Sequence, residues 1–405
     1  MDSGHTAWLL MSCALVLFMT PGLAFFYGGM VRARNVLAML MKNYVAMGVV
    51  TVLWVLVGAS LAFSGNTMLG DYSVIGNFDL WGLRDLGLSN DHFGLPYPDN
   101  VQMMFQLTFA IITPALISGA IAERMKFTAW AVFVAIWSLL VYVPVAHWVW
   151  GGGFVGADIE ALDFAGGLVV HVNAGAAALA LIMVLGPRVG FRKEIIRPHS
   201  LPLTVLGAGI LWFGWFGFNG GSAFAADAAA GNAFLTTQVA AATAATAWII
   251  AEGFTHGKPT TLGFVSGAVA GLVAITPAAG FVGPLGAMLL GLVAGVVCFY
   301  ALRLKFMFNF DDSLDVVAVH LVGGIIGSLL LGILAEEAYG GVAGSVEQFG
   351  RQALSVVIAL VYSFVVTFVI AKALDAVMGI RASEEDERRG LDLALHEEQS
   401  YVIVE

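Results

Sequence analysis

Two histidines stand at matching places in two otherwise apolar segments of the chain. His171 follows Asp163 by eight residues, and His320 follows Asp312 by the same number. Because aspartate is a good N-cap, we expect each aspartate to begin a helix. With a rise of about 1.5 Å per residue, each imidazole then lies ~12 Å inside its helix. If the two helices enter a membrane core ~30 Å thick from opposite faces, both rings approach its midplane.

Histidines at that depth are candidates for function, because ionisable groups are costly inside a membrane. A neutral imidazole has one donor and one acceptor and titrates near neutral pH, so two rings in contact could share a proton and pass it on. The alternative is that each ring bonds separately to a neighbouring helix. No metal or other cofactor is predicted, since no Cys, Asp or Glu stands at ligand spacing beside either histidine.

Aromatic residues form a second group with possible chemistry. Phe105 and Phe109 are four residues apart and so share one helix face, and Trp150 ends the fourth apolar run. The segment LWFGWFGFNGGSA adds Phe218 and Ser222. Ring faces can hold a cation that has lost its water, and a hydroxyl oxygen can accept its N–H bond. Taken singly, each ring is better explained by packing or by an interfacial aromatic belt.

The elements that position these residues follow from composition. The chain has 405 residues, of which 59% are hydrophobic and 11% charged, against roughly 25% charged in a soluble domain. We therefore predict an all-α polytopic membrane protein, with eleven apolar runs of about 20 residues. The predicted transmembrane helices are 8–28, 43–64, 101–122, 127–148, 165–187, 200–218, 234–254, 261–278, 284–302, 315–335 and 351–375.

Basic residues predict the orientation of these helices. With the N-terminus outside, only Arg84 and Arg351 of the 18 basic residues fall in outer segments, and the other 16 (18 − 2) fall on the cytoplasmic side. The C-terminus is then cytoplasmic. The net charge of −10 and the acidic tail argue against a nucleic-acid partner.

Eleven helices can be divided into five, five and one. We predict an inverted repeat, with repeat one about 8–187 and repeat two about 200–335, followed by an extra helix about 351–375. Together they make a transmembrane domain, 1–380, and a polar tail, 381–405. The stretches HVNAGAAALALIMVLG, from His171, and HLVGGIIGSLLLGILA, from His320, fit such a repeat. An accidental likeness of two Gly/Ala-rich helices is the alternative.

Several longer motifs resemble one family. WGGG at 150–153, LDFAGGLVVHVNAG at 162–175, GWFGFNGGSA at 214–223 and DDSLDVVAVHLVGGIIG at 311–327 are similar to the ammonium transporter family (Amt/Mep/Rh), and to its Amt branch in particular. FQLTFAIITPALISGAIAER at 105–124 fits as well, so the resemblance covers nearly the whole chain. The chain departs from the family pattern by one extra residue between Trp150 and Asp163.

The resemblance implies a homotrimer with one pore through each subunit. It also implies an outer ammonium recruitment site, a stacked phenyl gate and a pair of pore histidines. The residues that match the recruitment site are Trp150, Phe109, Ser222 and Asp163. Those that match the gate are Phe105 and Phe218, and those that match the pore pair are His171 and His320. For the tail it implies contact with a nitrogen-status signal protein of the PII type. A solvated, disordered end is the alternative.

Residues and resemblance together predict an ammonium transporter and not an enzyme. A bare cation in the hydrocarbon region is costly, so we expect ammonium to lose its proton outside and cross as ammonia, with net charge movement. The histidines would carry the proton, or would only set selectivity. Alternatives are an electroneutral ammonia or gas channel of the Rh kind and an ammonium sensor that acts through a cytoplasmic partner. The expected location is the cytoplasmic membrane of a bacterium or archaeon.

Overall fold

The computed structural model describes residues 1–84 and 86–401, and its architecture is helical. Eleven apolar helices, numbered in chain order, make up the body of the molecule. They are α1 Ser3–Met30, α2 Ala33–Phe63, α3 Asp99–Ile117, α4 Phe127–Ala157, α5 Gly167–Leu185, α6 Leu201–Gly221, α7 Ala228–His256, α8 Thr261–Ile275, α9 Pro284–Met307, α10 Val317–Leu334 and α11 Val346–Met378. A short antiparallel hairpin, β1 Thr67–Leu69 and β2 Tyr72–Ile75, lies between α2 and α3.

Ten of these helices, within the described part of the chain, are long and apolar enough to cross a membrane. The predicted polytopic helical fold is therefore confirmed. The exception is α8, whose 15 residues extend only ~22 Å at 1.5 Å per residue. Because α8 is shorter than the bilayer core, the count of eleven transmembrane helices remains a prediction.

Side-chain caps explain where several helices begin. The carboxylate of Asp2 accepts the N–H of His5 at 2.8 Å at the start of α1. Asp227 begins α7 in the same way, and the hydroxyls of Thr260 and Ser345 begin α8 and α11. These bonds satisfy N–H groups that the first helical turn leaves without partners. The caps also lengthen the helices, so α7 and α11 begin before the apolar runs that predicted them.

Helices α5 and α10 hold equivalent places in the two halves of the chain, and both begin with a π-helical segment. These segments are Gly167–Val172 and Val317–Leu321, and each contains one of the two histidines. The helices pack very closely, since a Cβ added to Gly175 would lie 2.5 Å from the backbone nitrogen of Leu321. Small residues permit such close approach between membrane helices. The matched geometry is what an inverted repeat predicts, and the division into repeats remains a prediction.

Charged residues gather on one face of the molecule, where residues of four predicted cytoplasmic segments meet. The buried carboxylate of Glu123 pairs with Arg32 at 2.9 Å and with Arg188 at 3.3 Å. Arg188 also pairs with Asp311 at 2.8 Å, and the guanidinium of Arg124 donates to the carbonyl of Asp311 at 2.7 Å. Buried ion pairs of this kind fix the mutual placement of loops that are distant in sequence.

The C-terminal tail lies on the same face, which we call the tail face; the opposite face, where α1 begins, is the N-terminal face. Two short helices, α12 Glu384–Arg389 and α13 Leu391–His396, form the tail, and α13 packs against the start of α2. The carboxylate of Asp392 accepts the N–H groups of Leu37 and Ala38 at 3.1 and 2.8 Å. Within its described residues, the tail is therefore folded against the helices; residues 402–405 lie outside the described part.

Candidate functional site

A cavity of about 610 Å³, which we call the vestibule, opens on the N-terminal face. Its wall is mostly aromatic, with a few polar side chains between the rings. It brings together all four residues predicted for ammonium recruitment and one of the two predicted for the gate. Its aromatic and polar lining residues include Phe105, Phe109, Trp150, Asp163, Ser222, Phe224, Gln102 and Gln106.

Trp150 contributes its ring to the vestibule. The indole N–H donates to the backbone carbonyl of Asp163 at 2.9 Å. The ring stands edge-on to Phe109, with centroids 5.8 Å apart and planes at 89°. Because the indole N–H is already bonded, the side chain offers a guest in the cavity only its π system, which attracts cations.

Asp163 organises the start of α5. Its two carboxylate oxygens accept the backbone N–H groups of Gly166, Gly167, Leu168 and Val169, at 2.8, 2.6, 2.8 and 3.2 Å. Burial raises the pKa of this carboxyl, while the four N–H groups act in the opposite direction. A carboxylate has about four acceptor positions, so the helix start uses them all.

Gly166 has a φ of 119° at this turn, a conformation that side chains disfavour.

The ring pair at the floor of the vestibule differs from the predicted one. Phe218 packs on Phe109, with centroids 4.3 Å apart and planes at 40°. Phe105 instead meets Phe109 at 5.0 Å and Phe224 at 5.8 Å. Among the described ring contacts, the expected pairing of Phe105 with Phe218 is thus replaced by Phe109 with Phe218. The sequence could not decide between the two because both phenylalanines lie on the same face of α3.

Below the ring pair, the two histidines are in contact. The Nδ1 atoms of His171 and His320 are 3.3 Å apart, and the ring centroids are 5.3 Å apart. The ring of His171 also stacks under Phe218 and beside Trp215, at 6.1 and 5.5 Å. Its Nε2 atom is buried and has no partner among the described residues. The helices begin at Gly167 and Val317, only four and three residues before the histidines, and not at Asp163 and Asp312 as the eight-residue spacing predicted. The depth of the two rings in a membrane remains a prediction.

The cavities follow one another through the molecule. A void of about 10 Å³ is bordered by Phe218 and both histidines, and its other lining residues are mainly apolar. A third cavity, of about 160 Å³, is lined by His320, Tyr27 and Asp315 and lies toward the tail face. The void and the tail-side cavity share His320 in their linings, and Phe218 of the void packs on Phe109 of the vestibule.

The start of α10 repeats the arrangement at α5 only in part. One oxygen of Asp312 accepts the N–H of Val317 at 2.7 Å, and the other is buried without a partner among the described residues. Burial raises the pKa of Asp312 to about 7, with Asp315 adding to the shift and Lys305 opposing it.

Across residues 1–84 and 86–401, no cluster of three or more His, Cys, Asp or Glu could hold a metal ion.

Comparison with known proteins identifies the family. The family model described as "Ammonium Transporter Family" matches residues 7–401. The chain belongs to the ammonium transporter family. An ammonium transporter of Mycobacterium tuberculosis is 49% identical over 435 residues, which cover 99% of this chain and 90% of that protein. Ammonium transporter Amt1 of Archaeoglobus fulgidus is 46% identical over 407 residues, 99% of this chain and 100% of the relative.

Solved structures share the fold. A structure described as "Sensor Amt Protein" has a TM-score of 0.90 at 30% identity, covering 97% of this chain and 98% of that one. The crystal structure of Saccharomyces cerevisiae Mep2 has a TM-score of 0.87 at 34% identity, with 95% and 88% covered. The predicted family is thus confirmed, and its relatives are transporters and not enzymes. This transporter-family member is a multi-pass membrane protein.

Three aromatic or polar lining residues were missed in the sequence. Phe224, which contacts Phe105, stands only two residues beyond Ser222 in the motif that was recognised. Gln106 lies on the vestibule side of α3 between Phe105 and Phe109, and Gln102 lies about one turn before them. Their neighbours Phe105 and Phe109 gave a usable signal, since helical periodicity places positions 102, 105, 106 and 109 on one face.

Proposed function

We propose that this family member transports ammonium by holding the cation in the vestibule, taking its proton and passing ammonia between Phe109 and Phe218. The proton crosses separately, along His171 and His320, so that charge moves with each ammonium carried. The observation that carries the proposal is the 3.3 Å contact between the two Nδ1 atoms, in a narrow apolar passage directly below the ring pair.

Recruitment depends on rings and one hydroxyl. The faces of Trp150 and Phe109 attract a cation with about 0.5–2 kcal/mol each, more as water is removed. The hydroxyl of Ser222 donates to the carbonyl of Phe218 at 2.8 Å, so its oxygen lone pairs remain free to accept an N–H bond. Asp163 supports the site indirectly, because its oxygens are held by the start of α5 and it fixes the carbonyl to which Trp150 donates.

Deprotonation follows from the shape of the route. Phe109 and Phe218 leave no space for a hydrated ion between them, and an unpaired charge in such surroundings is strongly disfavoured. Removal of water from ammonium favours its neutral form, and ammonia can pass the rings without its charge. Potassium has no proton to lose, so the same step excludes it.

The histidine pair suits a relay. Two imidazole nitrogens at 3.3 Å can form a hydrogen bond only if one carries the hydrogen and the other accepts it. A proton that enters at the unpartnered Nε2 of His171 can therefore be matched by one that leaves from His320 into the tail-side cavity. Ammonia in the void can meet the same Nε2 atom as an acceptor or a donor.

Electrical recording on purified protein in a defined lipid bilayer tests the proposal. Wild type is expected to give a saturable current with ammonium and none with potassium. Alanine at both His171 and His320 should abolish the current, while alanine at the exposed His92 should leave it unchanged. An undiminished current in the double variant would refute the relay. Ammonium uptake without any current in wild type would favour the electroneutral channel.

Sensing is a second candidate, favoured by the likeness to the structure described as "Sensor Amt Protein". A pure sensor would bind ammonium in the vestibule but show neither current nor uptake. In either role we propose a homotrimer in the cytoplasmic membrane, with the N-terminal face outside and the folded tail available to a PII-type signal protein. Native mass spectrometry of the detergent-solubilised protein should show the mass of a trimer. With the purified PII-type protein added, it should show a complex that deletion of residues 383–405 abolishes.

A further inference from the structure

The vestibule contains a polar side chain to which the proposed function gives no task. Gln106 lies on α3 between the two gate-side phenylalanines, and only 4% of its surface is exposed. It lines the vestibule, yet its amide oxygen is buried and has no partner among the described residues. No hydrogen bond among the described residues therefore holds the amide oxygen away from the cavity.

Most hydrogen-bond acceptors around the vestibule differ from the Gln106 oxygen because they already receive hydrogen bonds. Both oxygens of Asp163 are occupied by the backbone of α5. The amide oxygen of Gln102 accepts the hydroxyl of Tyr97 at 2.7 Å, and Trp150 has no acceptor atom. Among the described polar side chains of the wall, Ser222 and Gln106 are the two whose acceptor oxygen receives no hydrogen bond.

Ammonium needs acceptors of this kind. It has four N–H donors in a tetrahedral arrangement, and a single hydroxyl together with ring faces leaves some of them unpaired. The terminal torsion of a glutamine side chain is broad and roughly two-fold, so the carbonyl can turn toward the cavity without moving the rest of the side chain. Resting on the proposed function, we infer that Gln106 is a recognition residue whose amide oxygen accepts an N–H bond from ammonium in the vestibule.

The neutrality of this acceptor fits the next step of transport. A carboxylate at position 106 would bind the cation more strongly but would also oppose loss of its proton, because a nearby negative charge favours the charged form. An amide has the same shape and an acceptor oxygen without the charge. It therefore strengthens recruitment while leaving the cation free to deprotonate before it passes Phe109.

Substitutions at Gln106, assayed by ammonium-driven currents in proteoliposomes, test the inference. Gln106→Leu removes the acceptor at nearly constant size. The half-saturating ammonium concentration is expected to rise about tenfold, the effect of losing one hydrogen bond to a charged group. The maximal current should stay within about twofold of wild type. Gln106→Glu should do the opposite, lowering both the half-saturating concentration and the maximal current. Asn100→Leu, at an exposed position of α3 that does not line the vestibule, is the control and should shift half-saturation by less than about twofold.

The outcomes separate this inference from the proposed function. A normal wild-type current with unchanged half-saturation in Gln106→Leu overturns the recognition role alone. So does an equal shift in Asn100→Leu, which would show that an apolar substitution anywhere on α3 has this effect. A higher half-saturating ammonium concentration in Gln106→Glu would also overturn it. A wild-type protein with neither current nor saturable uptake overturns the proposed function, and the role of Gln106 with it.

Discussion

Replacement of Asp163 by alanine should destabilise the protein before it affects recognition. The side chain accepts four backbone N–H bonds at the start of α5, and alanine would leave all four donors buried without partners. Each such donor costs about 1–3 kcal/mol, although neighbouring losses do not add fully. We therefore expect the free energy of unfolding to fall by at least about 4 kcal/mol, a large effect for one substitution.

Thermal and denaturant unfolding of the detergent-solubilised protein measures this loss. Asparagine keeps one acceptor oxygen, which can bond two of the four donors, so Asp163→Asn should lie between wild type and alanine, at a loss of about 2 kcal/mol. Asp158→Ala, at an exposed residue of the same loop, is the control and should unfold like wild type. If Asp163→Ala were as stable as wild type but bound ammonium poorly, the carboxylate would act on the cation directly, and the structural role derived from its hydrogen bonds would be refuted.

Two further predictions concern packing and the tail. Gly175→Ala should force α5 and α10 apart near Leu321. The free energy of unfolding should fall by about 1–3 kcal/mol, and the ammonium current should fall with it. Gly209→Ala, whose added Cβ meets nothing within 4 Å, is the control and should change neither quantity. Asp392→Ala removes two of the three hydrogen bonds described between α13 and α2. It should speed cleavage of the tail by trypsin, measured by mass spectrometry, whereas Glu384→Ala, at an exposed residue of α12, should not.

Either prediction can fail in a definite way. If Gly175→Ala retained the stability and current of the control variant, contact between the two helices would not set the distance between the histidines. If the tail of Asp392→Ala resisted trypsin as well as wild type does, the carboxylate would not be what holds it to the tail face. Deletion of 383–405 would then show whether the remaining contacts of the tail matter for transport.

The placement of the helices was largely predictable from the sequence, because a bilayer demands long apolar runs and the helix is the element that satisfies its own backbone. Predicted 165–187 and 315–335 correspond closely to α5 and α10. The hairpin of β1 and β2 was missed, since its exposed residues show little alternation of polar and apolar side chains. The extra residues at the start of α7 depend on the cap at Asp227, which lies outside the apolar run.

The residue types of the site were determined by the sequence alone, and so was the position of each histidine near the start of an apolar helix. The starts of α5 and α10, at Gly167 and Val317 and not at the preceding aspartates, were decided by the tertiary structure. The partners of each side chain were decided only by the tertiary structure. Whether Phe105 or Phe109 meets Phe218 depends on how deep α3 sits against α6, and the lack of a partner for Gln106 emerges only when every neighbour is known. Periodicity assigns a residue to a face of its helix, whereas contacts between helices depend on the packing of the whole bundle.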